Sequence, residues 1–206
     1  MKIGILGTGN VGSALGKGWT QAGHKVRFGS RKPEAAMVPG GTEALPLADA
    51  ARWAEVVVLA VPYLAVMDTL EAVEPEGLVG KVLVDVTNVL AKDRSLAVGH
   101  TTSGAEEVAK QVPGAKVVKA FNTVFAQNMS RGRVGDEPLS LFMAGDDSTA
   151  KETVSALGRD LGFEPVDAGP LSSARYLEPM GMQLITFGYG MQMGPGIGYR
   201  LLRSRS

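Results

Sequence analysis

The chain has 206 residues, 45% of them hydrophobic, with 21 Lys+Arg balanced by 21 Asp+Glu and no cysteine. That length suits one domain with at most a small appendage, and the balanced charge offers no basic face for nucleic acid and no polybasic segment for an anionic membrane. Without cysteine there is no disulfide, thiol chemistry or thiolate metal site, and His24 and His100 are too few to build a histidine site.

Residues 1–6 form a short apolar run that predicts a strand. It passes into Gly7-Thr8-Gly9-Asn10-Val11-Gly12, after which residues 13–22 predict a helix. In a dinucleotide-binding fold the first glycine of such a motif lets the strand turn, the second lets backbone approach a pyrophosphate, and the third lets helix pack on strand. The pyrophosphate then meets the N–H groups at the helix start. A second strand, residues 25–28, ends in Gly29-Ser30-Arg31-Lys32. An acidic residue at this distance would hold the ribose 2′-hydroxyl of NAD. A hydroxyl and a guanidinium instead suit a 2′-phosphate, so the chain is expected to prefer NADP.

Residues 33–41 are polar and glycine-bearing, and 42–45 predict a short edge strand. A short helix is expected over 48–54. The continuous apolar run 55–61, stopped by Pro62, reads as a parallel strand buried on both faces. Residues 63–73 predict a helix and 81–86 a strand ending at Thr87-Asn88. Residues 103–112 predict a helix with Ser103 as N-cap and Glu106 as its capping-box partner. Residues 116–121 predict a strand leading into Asn122-Thr123. A strand over 139–144, a helix over 148–161 and a strand over 164–167 complete the series. This alternation predicts an α/β fold: a Rossmann-type, doubly wound, mainly parallel sheet over residues 1–167, with ligands bound beyond the carboxyl ends of strands where the strand order reverses. The loops expected at that cleft are 7–12, 30–32, 61–63, Asn88 and 122–124. The apolar run 56–67 is broken by Pro62 and too short to span a bilayer. With no signal peptide ahead of the first strand, a cytoplasmic protein without membrane contact is expected.

Residues 168–206 form a C-terminal extension rich in glycine and methionine. Residues 172–189 predict a helix despite their glycines, each of which costs roughly 1 kcal/mol relative to alanine in a helix. Close backbone approach to a ligand or a second subunit would offset that cost. Two readings stay open: a helix that completes the subunit's own core, or a homodimer contact that also walls the site. Arg200, Arg203 and Arg205 read as a frayed, solvated end.

The segments Gly7-Thr-Gly-Asn-Val-Gly12, Gly29-Ser-Arg31, Ala60-Val-Pro62, Lys119-Ala-Phe-Asn-Thr123 and Asp167-Ala-Gly-Pro-Leu-Ser172 occur in that order. Together they resemble the small NADP oxidoreductases that work with the 8-hydroxy-5-deazaflavin coenzyme F420, and the reductase part of the STEAP metalloreductases. The resemblance spans nearly the whole chain. It implies NADP along the glycine motif, with Ser30, Arg31 and Lys32 at the 2′-phosphate and Val61-Pro62 near the middle of the nucleotide. It implies a nicotinamide beside Asn88, Ala120 and Asn122, and an acceptor ring against Asn122, Thr123, Val124 and the C-terminal helix. One departure matters: the archaeal deazaflavin enzymes carry histidine at the position of Asn122, and asparagine is closer to bacterial members and the STEAP-like branch. The acceptor implied is therefore F420 or an ordinary flavin, FMN or FAD.

Hydride transfer between NADP(H) and such a ring needs no protein nucleophile; the cofactors carry the chemistry and the protein sets distance and angle. An alcohol or imine substrate would require a positioned acid or base, for which Lys119, Tyr63 and His100 are the candidates. Lys119 reads more readily as a side chain that points out or caps a carbonyl. His24 reads as a solvated turn residue, Asp85 as structural, Asp146 and Asp147 as a solvated loop, and Trp19 and Trp53 as core. Alternatives that stay open are an NADP-dependent reductase of a small metabolite and a non-catalytic NADP sensor.

Overall fold

A computed structural model of the chain describes residues 1–38 and 43–204. One eight-stranded sheet organises it, in the order β10-β9-β6-β5-β4-β1-β2-β3. The strands are β1 (Lys2–Leu6), β2 (Lys25–Ser30), β3 (Leu45–Pro46), β4 (Val56–Leu59), β5 (Val82–Asp85), β6 (Lys116–Ala120), β9 (Ser140–Gly145) and β10 (Glu164–Asp167). A separate hairpin holds β7 (Arg133–Val134) and β8 (Glu137–Pro138). The central strands are mainly apolar because both faces are covered, with Asp85 and Lys119 as buried exceptions. On one face α1 (Asn10–Gln21) and α6 (Ser148–Asp160) enclose a core around Trp19, Phe121 and Leu157. On the other, α2 (Leu47–Trp53), α3 (Val66–Val73), α4 (Gly104–Gln111) and α7 (Ala174–Ile185) cover Leu6, Leu59 and Leu83. The short α5 (Ala126–Met129) follows β6.

The chain leaves β1 for β2 on one side and returns to β4 on the other. The switch point, where a crevice opens, therefore lies between the ends of β1 and β4.

The sheet is not wholly parallel. β9 pairs antiparallel with β6, Val118 facing Gly145 and Ala120 facing Met143, and β10 runs parallel to β9. The carboxyl ends of β9 and β10 thus lie at the edge opposite the crevice. The Asp167–Ser172 segment belongs to that far edge. Asp167 accepts the Gly169 N–H (2.8 Å) and pairs with Lys151, and Asp146 accepts the Leu171 N–H (2.8 Å). This turn sends α7 back along the sheet toward the crevice.

Several local expectations change. Helix α1 begins at Asn10, three residues earlier than expected. The predicted edge strand over 42–45 is observed as Leu45–Pro46; Thr42 lies outside the described residues. Helix α7 stops at Ile185 and continues as a π turn over Thr186–Gly190. Asp147 is an N-cap, accepting the Ala150 N–H, rather than a free loop residue. His24 is not free in solvent but bonds Asp160 at 2.9 Å. Trp19 is buried, whereas Trp53 lies half-buried beneath Arg27, whose guanidinium is 4.8 Å from the ring centroid. Arg200 pairs with Glu137 and Glu164, so this part of the tail is docked; Arg205 lies outside the described residues.

Candidate functional site

At the switch point the chain turns through Gly7, whose φ is +116° and where a Cβ would meet the Ala60 carbonyl oxygen at 2.3 Å. Only glycine fits. A Cβ on Gly12 would lie 2.4 Å from the Gly7 oxygen, so this glycine sets how closely α1 approaches the turn. Gly9 faces open space, with no atom within 4 Å of its Cβ position. Helix α1 begins there without a side-chain cap or an acidic residue in its first turn. Its first N–H groups and the positive end of its dipole are left facing the crevice.

A hollow of about 190 Å³ brings Gly7, Thr8, Gly9, Ser30, Arg31, Val61 and Pro62 together with Gly29, Leu47, Ala60 and Thr69. Ser30 Oγ accepts the Lys32 N–H at 3.1 Å, which fixes the bend after β2; Arg31 and Lys32 are exposed. A second hollow of about 440 Å³ adjoins it, sharing Gly9, Ala60, Val61 and Pro62. Asn10, Val11 and Asn88 line it, with Tyr63, Leu64, Val86, Thr87, Leu90, Ala91 and Arg94. Leu90, Ala91 and Arg94 carry no sequence signal: they follow β5 in an irregular loop and meet the cleft only in the fold. Gly12 and Lys32 line neither hollow.

Ala120, Asn122, Thr123 and Val124 are buried and form the layer behind. The chain leaves β6 through Phe121 with φ +64°, a left-handed conformation that is unfavourable for an aromatic residue. Its ring is held edge-on between Trp19 (5.8 Å) and Phe163 (5.7 Å). This reversal aims Asn122 at α7, where Nδ2 donates to the Leu177 carbonyl at 2.7 Å. Asn122 Oδ1, Asn88 Oδ1, Thr87 Oγ1 and Thr123 Oγ1 are buried without a partner in the chain. Unsatisfied buried polar atoms are costly; of these four residues Thr87 and Asn88 line the larger hollow, which suits a ligand with polar groups on that side. Gly181 explains one helix glycine. Its Cβ would sit 2.8 Å from Asn122 O and Nδ2 and 2.9 Å from Asn88 Oδ1. The close approach is to this chain's own β5 and β6 loops.

Beneath this layer lies a buried ionic group. Lys119 Nζ pairs with Asp85 (3.0 Å) and Glu178 (3.1 Å) and donates to the Thr87 carbonyl (2.8 Å). Burial alone would lower the Lys119 pKa, but the two carboxylates outweigh it and hold the ammonium above its ordinary value. The lysine does cap a carbonyl; being fully buried, it does not reach the cleft as an acid. Asp85 also accepts the Thr87 N–H (2.9 Å). Glu178, which has no motif around it in sequence, accepts the Gly104 and Ala105 N–H groups (2.9 and 3.1 Å) at the start of α4.

Tyr63, at the cleft wall, donates to Glu107 at 2.6 Å, and burial followed by that bond raises its pKa far above the usual phenol value. Such a phenol stays protonated and engaged. Ser103 caps α4 through the Glu106 N–H, as expected, but the reciprocal bond differs. Glu106 receives the Ser103 hydroxyl (2.8 Å) and binds Arg175 in a fork (2.9 and 2.7 Å), drawing α7 onto α4. His100 is exposed in the loop before Ser103. Among the described residues no cluster of His, Asp and Glu could hold a metal ion, and no helix is long and apolar enough to cross a membrane.

The model of the family described as "NADP oxidoreductase coenzyme F420-dependent" matches residues 2–89. The F420-dependent NADP reductase of Methanothermobacter marburgensis is 33% identical over 212 residues, covering 90% of this chain and 91% of the relative. The metalloreductase STEAP3 of Rattus norvegicus is 35% identical over 187 residues, 89% of this chain but 37% of the relative, so the chain spans little more than a third of that protein. The crystal structure of a provisionally assigned F420-dependent NADP-reductase from Arthrobacter sp. FB24 superposes with a TM-score of 0.90 at 32% identity, covering 98% of this chain and all of the other.

Proposed function

Because this chain belongs to the coenzyme F420-dependent NADP oxidoreductase family, we propose that it moves a hydride between NADP(H) and a deazaflavin of the F420 type. The observation that carries the reading is the pair of joined hollows. One runs from the uncapped start of α1 to Ser30 and Arg31, and the other widens toward Tyr63, Asn88 and Arg94.

In this reading Thr8, Gly9, Asn10 and Val11 take the pyrophosphate on backbone N–H groups. Gly7 and Gly12 shape the loop behind it. Ser30 and Arg31, with Lys32 beside them, take the 2′-phosphate by charge-assisted bonds. Val61 and Pro62 form the waist where the hollows meet. Asn88, on the wall of the larger hollow, lies beside the nicotinamide, with Asn122 and Ala120 backing it from the buried layer. Thr123, Val124 and the extension over residues 168–206 support the acceptor side. The nucleotide and the deazaflavin supply the redox chemistry when bound. The protein's part is to hold the two rings against each other and exclude water. Neither Lys119, which is sequestered, nor Tyr63, which is committed to Glu107, is free to exchange the proton that accompanies the hydride.

FMN or FAD as acceptor is the second reading, favoured by asparagine at position 122. A homodimer is also proposed. The extension leaves Tyr176, Tyr189, Met191, Met193 and Leu202 between 56% and 78% exposed, an apolar surface suited to a second copy. Light scattering on the purified protein tests that directly.

The enzymatic test mixes the protein with NADPH and follows loss of the reduced-nicotinamide absorbance with F420, then FMN, then FAD, with NADH as control. Turnover with F420 and NADPH alone is the expected result. Turnover with FMN or FAD only moves the acceptor to the flavins. NADPH binding without oxidation by any of the three overturns the hydride-transfer reading and leaves a metabolite reductase or a sensor.

A further inference from the structure

The ionic group behind the cleft is unbalanced. Asp85 and Glu178 bring two carboxylates to the single ammonium of Lys119, and all three side chains are at most 1% exposed. Arg175 does not restore the balance, because its guanidinium is taken by Glu106. The remaining negative charge is shared with neutral donors, the first N–H groups of α4 on Glu178 and the Thr87 N–H on Asp85. Burying such a group is a poor route to stability, since well-packed apolar residues commonly do as well or better. Its place in the fold offers a different use.

Lys119 holds the carbonyl of Thr87, the residue before Asn88, and lies on β6, which ends at Ala120, two residues before Asn122. Glu178 follows Leu177, the partner of Asn122. A Cβ on Gly104 would lie 3.2 Å from the Tyr63 ring and 3.4 Å from Glu178 Oε1, so the cleft-wall tyrosine and the carboxylate are neighbours. After burial and Glu107, the fields of Glu178 and Asp85 also raise the Tyr63 pKa. The negative field of the buried group therefore reaches the wall of the larger hollow.

We propose that Asp85 and Glu178, bound together through Lys119, act as a fixed anion that favours the oxidised, cationic nicotinamide over the reduced, neutral one. The inference rests on the reading of the cleft as an NADP site. Loss of a hydride from dihydronicotinamide takes both bonding electrons and leaves the aromatic ring with one positive charge. A buried anion, weakly screened by salt, stabilises that ring and gives nothing to the neutral one. Both carboxylates act at a distance, without touching the ligand.

The test is the dissociation constant of NADP⁺ and of NADPH, measured separately by calorimetry for the wild type and for Glu178→Gln. Expected is a loss of NADP⁺ affinity of about tenfold, the order expected for removing one buried unit charge at an effective dielectric of about 20, with NADPH affinity changed less than twofold. Glu178→Asp keeps the charge and should keep the wild-type ratio. Equal weakening of both forms, or no change in either, overturns the inference. If Glu178→Gln does not fold, Asp85→Asn removes one charge from the other side of Lys119 and must give the same selective loss. A wild type that binds neither form overturns the NADP reading itself, and this inference with it. Binding of both with an unmoved preference overturns only the inference.

Discussion

The two halves of the cleft are built in opposite ways. The half around Gly7–Gly12 and Ser30–Arg31 is open, made of backbone and of a few side chains close together in the chain. The half around Asn88, Asn122 and α7 is closed. Its contacts join residues 55 apart (Asn122 to Leu177) and 74 apart (Gly104 to Glu178). One half leaves groups unsatisfied toward solvent, as a binding surface does. The other is held by satisfying almost everything internally and leaving a few oxygens over. Damage to the first should therefore appear in binding, and damage to the second in stability and in the chemical step.

Lys119→Met should give the largest effect. It strands Asp85 and Glu178 as buried carboxylates, and breaking a buried pair in this way costs about 3–5 kcal/mol. Urea unfolding should show a loss in that range. A loss below about 1 kcal/mol would mean that the closed half is not held by its ions.

Gly181→Val tests the same half without touching a charge. The new side chain would meet the Asn122 backbone oxygen, which lies 2.8 Å from the Cβ position and cannot swing aside. Displacing α7 by about 1 Å should cost about 100-fold in kcat, with a much smaller change in the KM for NADPH. If KM rises and kcat holds, the α7 side binds the nucleotide rather than positioning the reaction.

Arg31→Ala addresses the open half. One charge-assisted hydrogen bond is worth about 1.5–3 kcal/mol, so the KM for NADPH should rise about tenfold to 150-fold. The kcat and the melting temperature should stay near wild type, because Arg31 is exposed and, in the proposed site, faces the 2′-phosphate rather than the nicotinamide. An unchanged KM removes Arg31 from the site.

The same contrast explains what could be read in advance. Gly7, Gly9, Gly12, Ser30 and Arg31 are tied to their roles by short spacings along one strand–helix–strand unit, and a spacing is visible in sequence. Asp85 reads as a structural carboxylate and Lys119 as a side chain that points out or caps a carbonyl, while Glu178 carries no signal of its own; nothing local says that three elements bring them together. Gly181 reads as a helix liability until the neighbouring loops are in place. The reversal of β9 was hidden for a related reason. A parallel strand needs a crossover of a dozen or more residues, usually with a helix. The segment between β6 and β9 has that length, but its only helix, α5, is four residues long and is followed by a hairpin. The Asp167–Ser172 segment shows the limit of resemblance: it is distinctive in sequence, yet its residues build a turn at the far edge.

The smallest effect separates the ionic core of the closed half from its rim. Glu106 binds Arg175 across the α4–α7 contact, and that bond, with a smaller contribution from the Ser103 hydroxyl, holds its carboxyl below the ordinary value. A lowered folded-state pKa stabilises the native state above the unfolded pKa, about 4.3 for a glutamate, and that contribution is lost as pH falls through the folded value. The side chains are 35% and 18% exposed, so solvent screening limits the pair to less than about 1 kcal/mol. Glu106→Gln should thus be slightly less stable than wild type at neutral pH, and the gap should close on acidification below the folded-state pKa of Glu106. Measured by urea unfolding across that window, a gap that persists in acid would show that Glu106 acts through packing rather than charge. The rim of α7 would then resemble the open half less than its exposure suggests.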